Sequence, residues 1–552
     1  MPEAGPSFGQ TGDEAGPPPA PVARWRVLLA GSVIVFAILA AYANSLSVPF
    51  VFDDLKSITL NPTIRHLWPL GPVLSPPSGG GLSGRPLANL SFALNYAVGG
   101  EAVWVYHATN LAIHALAALT LFGIVRRTLW RPVLAGRFAS AALPLAWAVA
   151  LTWALHPLQT EAVTYLSQRT ESLMGLCYLL TLYAFIRAVE SPVPVRWLIL
   201  ATMACWLGAA TKEVMVTAPL AVLLYDRTFL AGTFREAWRQ RWLFYLGLAG
   251  SWLLLAWLMR DLGTRQVGYG LGVTWWNYAL TECRAVVHYL WLAVWPHPLV
   301  FDYGTGVLTP TASTGPCVVL ILLLAGGAGL ALRWRPVPGL VAAWILLILA
   351  PTSSVVPVAL QPMAEHRMYL PLAGVVVFVV MGLHALLGRL STVAVAVLAV
   401  GLGCVTAQRN ETYRSELALW GDTVAKRPDN ARAQTSLGSA LARIRRLDEA
   451  REHFAAAVRL NPVDAVARYN LGNVLLELDR PAEALAQCTV AVRLQPEFAE
   501  ARNNLGSALA QLGRLDEAQA QFEEALRLAP DYTPARSNLG QLQVQRAGRP
   551  AR

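Results

Sequence analysis

Two adjacent carboxylates, Asp53 and Asp54, stand in the stretch Pro49-Phe50-Val51-Phe52-Asp53-Asp54-Leu55, directly after the first long apolar run of the chain. Ionisable groups are costly to bring to the edge of a low-dielectric layer, so the pair either orients the first loop or serves chemistry. A carboxylate is the group that an incoming hydroxyl nucleophile needs as a general base. Acid–base and cationic groups recur further on. His107, Asn110 and His114 fall at i, i+3 and i+7, on one face of a helix. Hydrogen bonding between helices is the competing role for these histidines. His156, Glu161 and Arg169 share one short segment, Lys212 and Glu213 another, and Glu365, His366 and Arg367 a third. Arg85, Arg169, Lys212 and Arg367 are the cations an anionic phosphate headgroup requires, Arg as a planar fork and Lys as a point charge. Each segment alone also reads as a salt-bridged loop. Together, a base for a hydroxyl and cations for a lipid phosphate describe sugar transfer from a lipid carrier. No metal-ligand spacing is visible; the cofactor stays unknown, since an acidic pair beside a phosphate is able to hold a divalent cation.

These residues must be positioned by membrane helices. The chain has 552 residues, of which 55% are hydrophobic and 14% charged, and its mean hydropathy is +0.43. Those values place it among membrane proteins rather than soluble enzymes. Residues 1–22 are Pro/Gly/Ala-rich and predict a disordered cytoplasmic tail. Arg24 and Arg26 then precede an apolar run from Val27 to about Leu46, which reads as an uncleaved anchor. Further apolar runs lie near 105–125, 138–155, 173–189, 196–211, 214–226, 243–259, 316–332, 337–357, 369–388 and 392–406.

Arginines cluster at 126–137, 187–196, 227–241 and 333–335, in alternate connections. If these face the cytoplasm, the loops at Asp53/Asp54, 156–172, 211–214 and 358–368 all face the other side. Residues 275–297 are apolar but rich in Trp, Tyr and His, the composition of an interfacial or re-entrant element. The count is then about eleven spans. The net charge of +10 is a topology signal and not a nucleic-acid footprint. Six cysteines show no paired spacing, and the five in or beside apolar segments read as small buried hydrophobes.

From residue 407 the chain turns polar and periodic. Pro428, Pro462, Pro496 and Pro530 are 34 residues apart, and Leu437-Gly438, Leu471-Gly472, Leu505-Gly506 and Leu539-Gly540 keep the interval. This is the tetratricopeptide pattern of paired antiparallel helices. It predicts repeats at about 431–464, 465–498 and 499–532, with a capping helix on each side. Asn470, Asn473, Asn503, Asn504 and Asn538 recur on the first helices, as a groove for an extended peptide backbone or as solvated surface residues.

The fold class expected is therefore all-α: a tail at 1–22, a polytopic helix bundle at 23–406 and a tetratricopeptide solenoid at 407–552. In its motifs the chain resembles the transmembrane and tetratricopeptide-repeat protein O-mannosyltransferases, multi-span glycosyltransferases of type C. The resemblance rests on Phe52-Asp53-Asp54 with Asn61-Pro62, Arg85-Pro86-Leu87, His107 with Asn110 and His114, His156-Pro157 with Thr160-Glu161, Lys212-Glu213, and Glu365-His366-Arg367 with Tyr369. It implies a mannosyl donor on a polyprenyl phosphate and a Ser/Thr acceptor on a protein bound by the repeats. It also implies transfer on the periplasmic or lumenal side; the Arg/Gly/Pro/Ala-rich composition and compact repeat array point to a bacterial plasma membrane, and an endoplasmic-reticulum protein would share the topology. The acidic motif of such enzymes maps onto Asp53 and Asp54, with Asp53 as base and Asp54 as its partner. A membrane-anchored scaffold without enzymatic activity is the alternative.

Overall fold

Apolar runs of this length have one way to satisfy every backbone N–H and C=O inside lipid, which is to be helical. The computed structural model describes residues 23–77, 81–260, 274–304, 312, 314–351 and 361–547. The expected tail at 1–22, and the first residues of the expected loop at 358–368, lie outside them. Among the described residues there is no strand.

The membrane region comprises α1 (Arg24–Tyr42), α2 (Pro86–Gly99), α3 (Val103–Leu129), α4 (Ala142–Ala154), α5 (Arg169–Glu190), α6 (Pro194–Ala209) and α7 (Ala218–Asp226). It continues through α8 (Phe234–Leu258), α9 (Trp275–Leu292), α10 (Thr314–Trp334), α11 (Pro336–Ala350), α12 (Pro371–Leu387) and α13 (Ser391–Asn410), with short helical turns between. Eight helical stretches among the described residues are long and apolar enough to cross a membrane by length and composition. The longest, Pro371–Tyr413, turns at Gly388, whose φ of +54° suits a residue without Cβ, and so divides into α12 and α13. The aromatic segment forms α9, which is not among the eight. It buries Tyr278, Ala285 and Tyr289 and exposes Trp275, Trp276 and Trp291.

Helix α4 lies at the centre of the bundle, where its small residues Ala146, Ala148 and Ala150 let neighbours approach closely. Trp153 at its end donates Nε1–H to the Tyr369 carbonyl at 2.8 Å. The two ends of the bundle differ chemically. At one end Glu190 pairs with Arg127 and Arg131, and Asp226 pairs with Arg241 at 3.0 Å. Every membrane-region residue singled out for chemistry gathers at the other end.

The solenoid rises from that other end. Its cap α14 (Glu416–Lys426) is followed by the pairs α15/α16 (Ala431–Arg443, Leu447–Leu460), α17/α18 (Ala465–Glu477, Pro481–Leu494) and α19/α20 (Ala499–Gln511, Leu515–Leu528), then α21 (Thr533–Ala547). The repeat glycines are small because a Cβ on Gly438 or Gly506 would overlap Phe454 or Phe522 of the second helix. Each turn is tied to its repeat in one way: Arg468, Arg502 and Arg536 donate to the carbonyls of Pro462, Pro496 and Pro530.

Candidate functional site

Asp54 is buried, and its carboxylate accepts three hydrogen bonds: from Ser167 N–H at 2.7 Å, Ser167 Oγ–H at 2.6 Å and Val51 N–H at 3.2 Å. It therefore staples the first loop to the segment after α4. Asp53 is only half-buried. Its backbone N–H donates to the Tyr165 hydroxyl at 3.1 Å. Burial raises the Asp53 carboxyl above its ordinary range, opposed by Tyr165, Lys56 and Arg432, while Asp302 pushes it further up. The residue before it, Phe52, has a φ of +50°, a left-handed conformation rarely adopted by a bulky side chain.

What holds that turn is the seam between bundle and solenoid. Phe52 packs edge-on against Trp420 and Phe301, with ring centroids 5.2 Å and 6.1 Å away, and donates its N–H to Glu416 at 3.3 Å. Phe301 in turn meets Tyr165, Tyr413 and Trp420. Beside it Asp302 takes a two-pronged ion pair from Arg432, at 2.5 and 2.7 Å, and the Asp302 carbonyl accepts from Asn430 at 2.8 Å. The first loop, the segment at 299–304 and the start of the solenoid thus form one contact.

A second group surrounds His366. Glu161 accepts both its Nδ1, at 2.7 Å, and its backbone N–H, at 2.9 Å. Burial, and then the charges of Lys212, Arg367 and Arg85, drive the His366 imidazole well below its usual pKa, so it is neutral. Lys212 is paired with Glu171, both buried. Arg85 lies 3.7 Å from Glu213, contacts Thr170, and keeps 22% of its side chain exposed. Asp302 raises the pKa of both Asp53 and Glu161 and so stands electrostatically between the two groups.

The remaining predicted residues serve the frame. His107 meets the Val48 carbonyl at 2.9 Å, and His114 bridges the Ala154 carbonyl and Tyr369. His156 meets the Ala293 carbonyl at 3.2 Å. Burial lowers the pKa of His156 to about 4. Arg169, fully buried, donates to Asn110, Asn95 and the Tyr106 carbonyl and lies 4.2 Å over the Phe92 ring. Arg367 pairs with Glu282 at 3.0 Å, and Glu365 accepts from Val300 N–H and the Tyr303 hydroxyl. In the solenoid, Asn504 donates to Asn473 at 3.1 Å and Asn538 to Asn503 at 2.9 Å, so these amides link successive repeats. Asn470 is half-buried and has no side-chain hydrogen bond among the described residues. Among the described residues no group of three His, Cys, Asp or Glu side chains is placed to hold a metal ion.

Sequence reasoning missed Asp302, Arg432 and Arg409. Arg409 is buried, bonded through Nη1 to Asp422 at 2.8 Å, with Nε and Nη2 unpartnered. Its positive charge favours ionisation of both Glu161 and Glu365. The signals were slight: an acid between two aromatics in Phe301-Asp302-Tyr303, and an arginine ending the last apolar run.

Burial holds Asp54, Glu161 and Glu365 each at about 7. In the unfolded chain such groups titrate near ~4. The folded state therefore binds more protons between those values. The stabilisation is complete below the unfolded pKa and lost as pH rises through about 7. Thermal unfolding in nanodiscs is expected to shift downward between pH 5 and pH 8, and Glu365→Gln to flatten that slope. A rising Tm over this interval contradicts the assignment.

Fold and site together define a polytopic helical membrane protein with an acid- and cation-bearing loop cluster at one end, joined there to a tetratricopeptide solenoid. The family model described as Tetratricopeptide repeat matches residues 407–465, 437–497 and 469–533. The protein O-mannosyl-transferase Tmtc2 of Drosophila melanogaster is 33% identical over 202 residues, 34% of this chain and 20% of that protein. Drosophila Tmtc3, also named a protein O-mannosyl-transferase, is 28% identical over 520 residues, 79% of this chain and 55% of that one. Among solved structures, YrrB, titled a TPR protein with an unusual peptide-binding site, is 28% identical, covering 27% of this chain and 77% of that one with a TM-score of 0.23. The chain is a homologue of the Tmtc protein O-mannosyl-transferases and spans only part of their length.

Proposed function

We propose that this integral membrane protein is a glycosyltransferase that moves a sugar, mannose, from a polyprenyl-phosphate carrier to Ser/Thr hydroxyls of proteins. The homologues' names support the reaction class. The observation that carries the reading is the division of labour within the acidic pair. Asp54 is consumed by three donors, which leaves half-buried Asp53 as the carboxylate without such a set, at the end of the bundle that also carries Arg85, Lys212 and the solenoid. By the positive-inside rule the arginine-rich end is cytoplasmic, so transfer and the solenoid are on the periplasmic or lumenal side.

In the proposed step Asp53 takes the proton of the acceptor hydroxyl as that oxygen bonds to the anomeric carbon. The bond from that carbon to the carrier's phosphate oxygen breaks, and its electron pair leaves with the phosphate. Arg85, the part-exposed cation of the cluster, stabilises the charge that develops there, while Lys212, committed to buried Glu171, holds the loop behind it. The histidines His107, His114 and His156, with Arg169 and Arg367, hold the loops that present these groups. Asn470, whose amide is not bonded to another side chain among the described residues, holds the acceptor's backbone, and the bonded asparagines of the later repeats set the groove beside it.

The test supplies polyprenyl-phosphate-mannose and a Ser/Thr peptide to the protein in nanodiscs and reads the peptide's mass. Arg85→Gln is expected to raise the donor KM roughly tenfold, the scale of a lost charge-assisted bond, with Tm unchanged because the side chain is part-exposed. No transfer by the wild type from any lipid-linked sugar removes the proposal and favours the scaffold.

A further inference from the structure

At the arginine-rich end, away from Asp53, a cavity of about 590 Å³ opens between α3, α5, α11 and α12. Its walls are apolar: Ile124, Leu182, Val341 and Val377 are representative. The polar pair in the lining, Thr128 and Tyr225, is satisfied by its own hydrogen bond of 2.9 Å. No carboxylate is among the lining residues. The cavity opens on the outer surface of the bundle, where an apolar face at bilayer depth is covered by lipid chains as apolar as its own lining. A space of this size at bilayer depth is occupied by something apolar.

The mouth says what the occupant carries. Arg137, in the connection from α3 to α4, and Arg335, between α10 and α11, both line the cavity. Both are exposed, and neither guanidinium has an acidic or hydrogen-bonding partner among the described residues. At the same end Arg127, Arg131 and Arg241 are paired with Glu190 or Asp226, while Arg126, Arg187 and Arg333 also lack an acidic partner among the described residues; what sets Arg137 and Arg335 apart is that they line the cavity. Two unneutralised forks at the rim of an apolar cavity complement a phosphodiester attached to an acyl chain.

We propose that this cavity is a binding site for an anionic phospholipid of the arginine-side leaflet, one acyl chain inside and the phosphate held by Arg137 and Arg335. It is separate from the loop cluster at the opposite end and does not depend on the reaction proposed there. The lipid braces α11 and α12, whose opposite ends lead to the described loop bearing Glu365 and His366.

The test uses the full chain in nanodiscs with two photoreactive probes, a phosphatidylglycerol and a phosphatidylcholine, each with a diazirine at the end of one acyl chain. Phosphatidylglycerol is expected to label peptides within 121–138 and 337–381 roughly tenfold more strongly, the scale set by two basic side chains near a lipid surface. Val377→Trp should suppress that labelling by filling the cavity. The double change Arg137→Gln/Arg335→Gln, at exposed positions that do not support the fold, should make the two probes equal. Equal labelling in the wild type overturns the proposal, as does labelling that persists in both variants. Stronger protection by unlabelled polyprenyl phosphate than by unlabelled phosphatidylglycerol also overturns it, because the occupant is then the sugar carrier.

Discussion

Asp53→Asn is expected to reduce turnover by on the order of 10²-fold or more, the usual contribution of a positioned general base, with little change in Tm. Asp54→Asn is expected to show the opposite balance. The reason is where each carboxylate points its lone pairs. Asp54 Oδ1 receives two donors from Ser167, and Oδ2 receives the Val51 N–H. An amide in that place must set its NH₂ against at least one of these donors, leaving a buried group unpaired at a cost of about 1–3 kcal/mol. Asp53 has no comparable set of donors, so its amide fits without loss but no longer accepts a proton. Because burial raises the Asp53 carboxyl, activity should climb with pH over a range above that of an ordinary aspartate and then level. Paired measurements of kcat and thermal unfolding for both variants check this. Full activity in Asp53→Asn removes it as the base, whatever Asp54→Asn does.

The second large effect is expected from a residue outside the membrane. Trp420 is fully buried, with its ring 5.2 Å from Phe52 and 5.3 Å from Phe301. Truncating a buried aromatic of this size costs about 3–5 kcal/mol. Here the loss also frees the turn. A phenylalanine at a φ of +50° persists only while its surroundings insist on it, and relaxation is worth about 1–3 kcal/mol. Relaxation at Phe52 redirects the next residue, Asp53. Misplacement by about 1 Å is enough to cost as much as 10²-fold in rate. Trp420→Ala should therefore lower kcat as well as Tm. Glu416→Gln keeps the ring stack and weakens both the bond to Phe52 N–H and the ion pair with the half-exposed Arg443, so it should lower kcat by a smaller factor with only a small loss of Tm. If the solenoid only recruits acceptors, both variants alter the peptide KM and leave kcat alone. That outcome separates recruitment from positioning.

Much of the architecture is legible before any folding. The spacing of proline, Leu-Gly and alanine sets the solenoid's helix pairs, because each repeat meets only its neighbours and its pattern is local. The long apolar runs declare membrane helices for a similar reason, since each satisfies its own backbone. The presence of acids and cations in alternate loops is also a local fact. Their employment is not. His107, His114 and His156 look like acid–base groups in a string of letters, yet each is given to a carbonyl far along the chain, Val48, Ala154 or Ala293. Arg169 reads as a phosphate cation and is instead walled in by Asn95, Asn110 and Phe92.

The sequence by itself determined an all-helical chain, a lipid-embedded part, a repeat part, and which loops carry charge. Only the tertiary structure decided which aspartate of the pair remains accessible, that Asp302 and Arg432 join the two parts beside it, and that Arg137 and Arg335 stand unpaired over a cavity. Helical periodicity and hydropathy are properties of neighbouring residues. Burial, pairing and access depend on partners far away in the chain, and no local pattern records them.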